Sequence, residues 1–461
     1  MRQFDPEFAE MRFGSGLSPV IAPPRDAQAM LDGLTAPDVI AQDYPIPTFA
    51  EFEPRLTEMF GYLQIKRKNR GTELGKQADK SRRLLQKAAR QDMVRWLGAS
   101  MLRRAHTPSG FFERLTYFWG DHFAATGKSG GVRRATSPYI EEAIRPHVTG
   151  RFADMLKAAV THPVMLEFLD QHVSIGPNSR RAERVKRPVG LNENLAREVL
   201  ELHTLGVGAP YTQDDVTQLA ELLTGLSYHP EKGFRFVKAM AEPGAETVMG
   251  KTYPDVMSLD PIYEVLDDLA AHPVTAQHLA SKLAVHFVSD TPDPALVDHV
   301  AARFRDTGGD LMAVYAALLE HPAAWVREGA NIKTPVEFVG SAMRALAVPR
   351  DKIETLNEGR MRNLILTPMS VMGLTWQKFA GPDGWPEEDE NWLSPAGLAG
   401  RVQWAMGAPI KMVDDLPDPR AFAGTALGGA LTDDVIFAAT AAESRAEAIG
   451  LVLMAPAFQR R

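Results

Sequence analysis

Two places in the chain gather residue types that can move protons or hold a cation. The first is Asn192–Gly206, NENLAREVLELHTLG. On an α-helix Asn194, Glu198 and Glu201 fall at i, i+4 and i+7 and form one polar stripe. Two carboxylates three residues apart repel unless something neutralises them. A divalent metal would do so, and so would buried arginines. Glu198 and Glu201 are therefore metal-ligand candidates, and Asn194 and Arg197 are binding candidates beside them. His203 points away from both glutamates by helical geometry and is a binding candidate on its own. The structural alternative pairs Arg197 with Glu201 at i, i+4 and gives Glu198 an arginine from elsewhere, such as Arg145.

The second place is Asp121-His122, at the end of an aromatic run holding Phe111, Phe112, Tyr117, Phe118 and Trp119. A carboxylate can orient an imidazole, and histidine is a common ligand or general base. Both residues join the metal-ligand candidates, against the alternative of a capping aspartate and a packed histidine. The pattern suggests a divalent metal as cofactor. No zinc-binding His-Glu-x-x-His, EF-hand loop or nucleophile elbow is present in the sequence.

The elements that must position these residues read as helices. Thr212 with Asp215 forms a capping box before VTQLAELLTGL, and Ser137-Pro138 and Ser394-Pro395 mark two further starts. Asn192 can cap its helix and Gly206 can end it in the left-handed conformation. Lys76–Arg104 reads as one long amphipathic helix with Leu84, Leu85, Ala88, Met93, Leu97, Met101 and Leu102 on its apolar side. Its opposite side carries Lys80, Arg82, Arg83, Lys87, Arg90 and Arg95, read as a solvated face. His-Pro recurs at His162, His272 and His321, where a histidine in a last turn would suit the helix dipole. Gly233–Val237 and Glu246–Lys251 are the best strand signals and suggest one small hairpin, with Phe234, Phe236 and Val248 inward. Residues 369–391 are turn-rich and make an ordered loop around Trp376 and Trp385. The expected fold is mainly α, a multi-helix globular assembly with one small β-hairpin element. Its expected parts are an N-terminal helical part over 1–230, a β insertion over 231–260 and a C-terminal helical part over 261–461.

The 461 residues carry a net charge of −7 and no cysteine. Disulfides, thiolate metal sites and cysteine nucleophiles are thus excluded. The acidic balance makes nucleic acid an improbable partner. No apolar run reaches the length of a membrane span or of a leader's core. The chain reads as cytoplasmic as it stands, or periplasmic if a leader has been removed.

Several blocks resemble the bacterial family catalogued as domain of unknown function 1800. They include Glu113–Phe123 (ERLTYFWGDHF), Asn192–Val207, Met249–Tyr253 (MGKTY), Lys333–Phe338 (KTPVEF) and Leu453–Arg461 (LMAPAFQRR). The likeness runs from near Phe13 to the C-terminus. The family often has a second histidine where this chain has Gly120. Its genes often stand beside those of a phosphatase/sulfatase-like protein. The resemblance therefore implies an accessory or assembly protein acting with such a partner, and this is the reading the sequence leans to. The alternative is a metal-dependent hydrolase or oxidase with a carboxylate/histidine site between helices.

Overall fold

Short polar side chains set most helix starts. In the computed structural model, which describes residues 4–128, 130–184, 190–327 and 329–461, Thr48 with Glu51, Thr212 with Asp215 and Thr334 with Glu337 form capping boxes. Asp5, Asp26, Asp38, Asp293, Asp310 and Asp418 each accept from a first-turn N–H. Each such cap contributes about 1 kcal/mol. Ser394 caps as expected. Ser137 does not: the helix begins at Thr136, and the buried Ser137 hydroxyl accepts from Gln377 instead.

The His-Pro histidines act at the other end of the junction from the one expected. His162, His272 and His321 each use Nδ1 to accept the backbone N–H two residues on, from Val164, Val274 and Ala323. They cap the following helix, so proline opens that helix while the imidazole satisfies an orphan donor.

The long basic helix runs Glu73–His106. Its first half packs less than its pattern implied, with Leu84 59% exposed. Its basic side is largely neutralised: Asp79 holds Lys66, Arg82 and Arg83, and Arg90 pairs with Glu358. Its second half is buried through Leu97, Met101, Leu102 and Ala105, which pack with Val336, Val339, Trp404 and Leu453 in one core. The other core runs from Ala9 to Ala324 and is filled by Phe111, Phe118, Trp119, Leu200 and Phe287.

The β content is two separate two-stranded antiparallel hairpins. β1 (Leu226–His229) pairs with β2 (Gly233–Phe236), and β3 (Glu246–Val248) with β4 (Lys251–Tyr253). The two segments expected to pair with each other instead each fold back on a nearer neighbour, because tight turns close at lower entropic cost. No helix among the described residues is long and apolar enough to cross a membrane.

Buried arginines hold the two cores together. Glu337, on the helix Pro335–Ala345, lies 3.0 Å from Arg114 and also pairs with Arg461. Arg344 reaches Glu10 and the carbonyls of Gly16 and Thr107. Arg401 reaches Gln459 and the Lys333 carbonyl. Burial would raise the Glu337 carboxyl, but Arg114 and Arg461 outweigh it and hold it well below the usual range. Its contribution to stability is therefore complete above about pH 4.5 and is lost as pH falls toward its folded value. Glu337→Gln should cost about 3–5 kcal/mol, because buried Arg114 loses its carboxylate and Arg461 is left with Glu387 alone. Urea unfolding at pH 7 measures this, and the variant should also lose part of the wild-type acid dependence.

Candidate functional site

The aromatic helix, Gly110–His122, is locked in rotation by its rings. Trp119 Nε1 donates to the Tyr315 hydroxyl at 2.7 Å, which donates to the Val148 carbonyl. This fixes where the last turn delivers Asp121 and His122. The His122 ring is buried, with Nε2 3.2 Å from the His203 carbonyl. A carbonyl only accepts, so Nε2 carries the hydrogen and Nδ1 is left with a lone pair. Nδ1 has no partner among the described residues. Burial, with Lys282, His203 and His278 nearby, pushes this imidazole well below its ordinary value.

The second polar run starts as read, with Asn192 Oδ1 accepting from Asn194 N at 2.9 Å. After Asn194–Glu198 the chain widens into a π-turn, Val199–Thr204. Leu205 N and Gly206 N both bond to the Leu200 carbonyl. The α-helical partners of the Glu201 and Leu202 carbonyls are thereby withdrawn; His278 Nε2 takes the Leu202 carbonyl, and His122 Nε2 takes that of His203, whose own α-helical partner would lie past the end of the helix. The wider turn also changes which residue faces inward. Leu202 is only half-buried, and His203 is fully buried in its place. Gly206 closes the turn at φ +97°, where a Cβ would also stand 2.8 Å from the His278 ring. Both ring nitrogens of His203 are unpartnered among the described residues. Burial, then Lys282 and His278, lower this imidazole to about 3.

Opposite lies the lysine helix, Pro273–Phe287. His278, Lys282 and His286 stand at i, i+4 and i+8, hence on one face. Burial depresses the Lys282 amine although Asp121, Glu387 and Asp383 oppose it. The tryptophan loop completes the chamber. Trp385 N donates to both oxygens of Asp121, at 3.1 and 3.2 Å. Gly384 (φ +81°) permits this approach, since a Cβ there would meet Asp121 Oδ2 at 2.6 Å. Asp121 is raised well above the usual carboxylate range by burial and by Glu387. Glu387 lies 2.7 Å from His286 Nδ1, and Arg114 donates to His286 Nε2. The chamber thus joins the buried arginine network directly.

Of the residues singled out in the sequence, the structure gathers Asp121, His122 and His203 around Lys282. Glu198 and Glu201 are half-buried at the rim. Burial, Glu201 and Asp383 raise Glu198 to about 7, and Glu201 accepts from the Tyr211 hydroxyl. Asn194 is exposed, and Arg197 bonds Glu193 and Gln213 rather than Glu201. Arg145 pairs with Asp38 and Glu113, so it does not neutralise Glu198. No three His, Asp or Glu side chains among the described residues form a ready ligand set for a metal ion. Sequence reasoning passed over His278, Lys282, His286 and Glu387. The H-x3-K-x3-H spacing was the available signal for the first three.

The folded value of His203 lies below the ~6.5 of a free imidazole. Its stabilising contribution is complete above about pH 6.5 and is lost as pH falls toward about 3. In metal-free protein, imidazole NMR should find His203 and His278 still neutral at pH 5. A ring titrating near 6.5 at either position would contradict the chamber described.

The search among curated proteins returns no match, and neither does the search among solved structures. One family model covers residues 12–460, nearly the whole chain, under the description "Protein of unknown function (DUF1800)". The helical fold, the π-turn and the Asp121–Lys282 chamber all fall inside that span, and the chain belongs to the DUF1800 family.

Proposed function

We propose that the protein is an enzyme working by acid–base chemistry, with Lys282 as proton acceptor and Asp121 as proton donor. One observation carries this reading: a half-buried amine and a half-buried carboxyl group interact within one cluster, and desolvation moves the proton affinity of each toward its neutral form. Paired groups pushed toward complementary protonation states are the usual basis of proton transfer near neutral pH. Such perturbation concentrates at functional sites. Asp121 also lines an open cleft beneath Trp376 and Trp385, which gives a small substrate a route to it.

The three imidazoles, His122, His203 and His278, support the same reading. Burial lowers the proton affinity of each, and His122 and His203 keep ring nitrogens without a hydrogen-bond partner among the described residues. A buried polar atom left so calls for a ligand, a water or an ion. Lys282 stands close enough that its charge lowers the proton affinity of all three rings. The accessory role with a phosphatase/sulfatase-like partner has no comparable support in the fold, which moves the preference to the enzyme reading.

Competitive labelling with acetic anhydride across pH, read by peptide mass spectrometry, measures the titration of individual lysines. Lys282 should become reactive at a pH clearly below that of the surface lysines. An ordinary midpoint near ~10.4 would sink the assignment. Any turnover found on small carbonyl compounds should vanish in Lys282→Met with the fold intact by circular dichroism.

A further inference from the structure

The cleft under the tryptophan loop contains one cation that the protein does not pair. Three arginines reach it: Arg103, Arg104 and Arg145. Arg103 is matched by Glu141 at 2.6 Å, and Arg145 by Asp38 and Glu113. Arg104 is only 5% exposed, and its guanidinium has no ion pair within bonding distance and no hydrogen-bond acceptor among the described residues; Glu113 of the same cleft attracts it from further off. It lies over the face of Tyr117, 4.7 Å from the ring centroid. Its nitrogens are not sealed from solvent, so its five donors are open to a ligand that enters the cleft.

Most of the remaining cleft surface is apolar, although the carboxylates Glu113, Asp121 and Glu141 and the polar Thr116, Ser137 and Gln377 also line it. Tyr117, Trp376, Phe379 and Trp385 supply rings, and Ile46 and Ile140 supply aliphatic surface. The volume is about 80 Å³. That is several times the roughly 10–15 Å³ that one water needs on that scale, so the cleft has room for a small organic molecule. A planar guanidinium binds a carboxylate through two parallel hydrogen bonds, and aromatic walls favour a planar partner.

We propose that this cleft binds a small planar aromatic carboxylate, with its carboxylate on Arg104 and its ring between Tyr117 and the tryptophan loop. Asp121 lines the same cleft, but the carboxylate contact is made by Arg104 and does not depend on Lys282 being reactive. The two fail independently, because this one is read by binding alone.

The test is isothermal titration of the full chain with trans-cinnamate, benzoate and phenylacetate, and with neutral cinnamamide as control. One equivalent of at least one acid should bind saturably, with cinnamamide at least tenfold weaker than cinnamate. Arg104→Gln should weaken the acid at least tenfold, and binding should shift the tryptophan fluorescence. If Arg104→Gln does not fold, Phe379→Ala replaces it. That variant keeps the charge and loses a wall, and should weaken cinnamate several-fold. Absence of saturable binding by all three acids overturns the proposal. So does an amide that binds as tightly as its acid, or an Arg104→Gln variant of unchanged affinity.

Discussion

A buried negative charge needs compensation from every side, and Glu337 is the point where this molecule meets that demand. Its carboxylate closes the Thr334 capping box through the backbone N–H at 2.8 Å and receives Arg114 and Arg461. Arg114 comes from the aromatic helix, and Arg461 from a segment whose backbone pairs with Asn331. Three distant stretches of chain therefore converge on one group. Removing any member would leave a charge in a medium that solvates it poorly, which ties the two cores into one cooperative unit.

The same electrostatics shape the chamber. Arg114 meets His286, His286 meets Glu387, and Glu387 acts on Asp121 and Lys282. The groups nearest the arginines stay charged: Glu337 and Glu387 are held low. One layer further, compensation weakens and burial dominates, so Asp121 and Lys282 drift toward neutrality. The gradient from paired to unpaired charge runs along one continuous chain of contacts. Trp385 sets its outer boundary through two hydrogen bonds to Asp121.

Local signals were the most legible in the sequence. The Thr212–Asp215 box, the Ser394 cap and the long basic helix all depend on residues within one turn of each other, and all stand where their spacing placed them. The His-Pro junctions were located, but the histidine was given to the wrong helix, since the spacing does not say which backbone group its ring meets. The hairpins were mispaired because two strand-like segments were visible while the strands they pair with, Leu226–His229 and Lys251–Tyr253, were not. At the site, Asp121, His122 and His203 were recognisable by type. Lys282 was not, because its meaning comes from carboxylates more than a hundred residues away in either direction. The glutamate stripe drew attention by its regularity, yet it lies at the rim.

The π-turn ties function to a count of residues. An ordinary helix would give the Leu202 carbonyl to Gly206 N–H and keep Leu202 on the inner face. The additional residue in the turn releases that acceptor to His278 and brings His203 inward, its carbonyl at His122. His278 thus takes its tautomer, and His203 its position, from a single register step. Loss of one residue between Val199 and Thr204 would take His203 and the Leu202 carbonyl out of register with His122 and His278, while Asp121, Lys282 and Glu387, carried by other elements, would stay in place. For this stretch, length is under tighter constraint than composition.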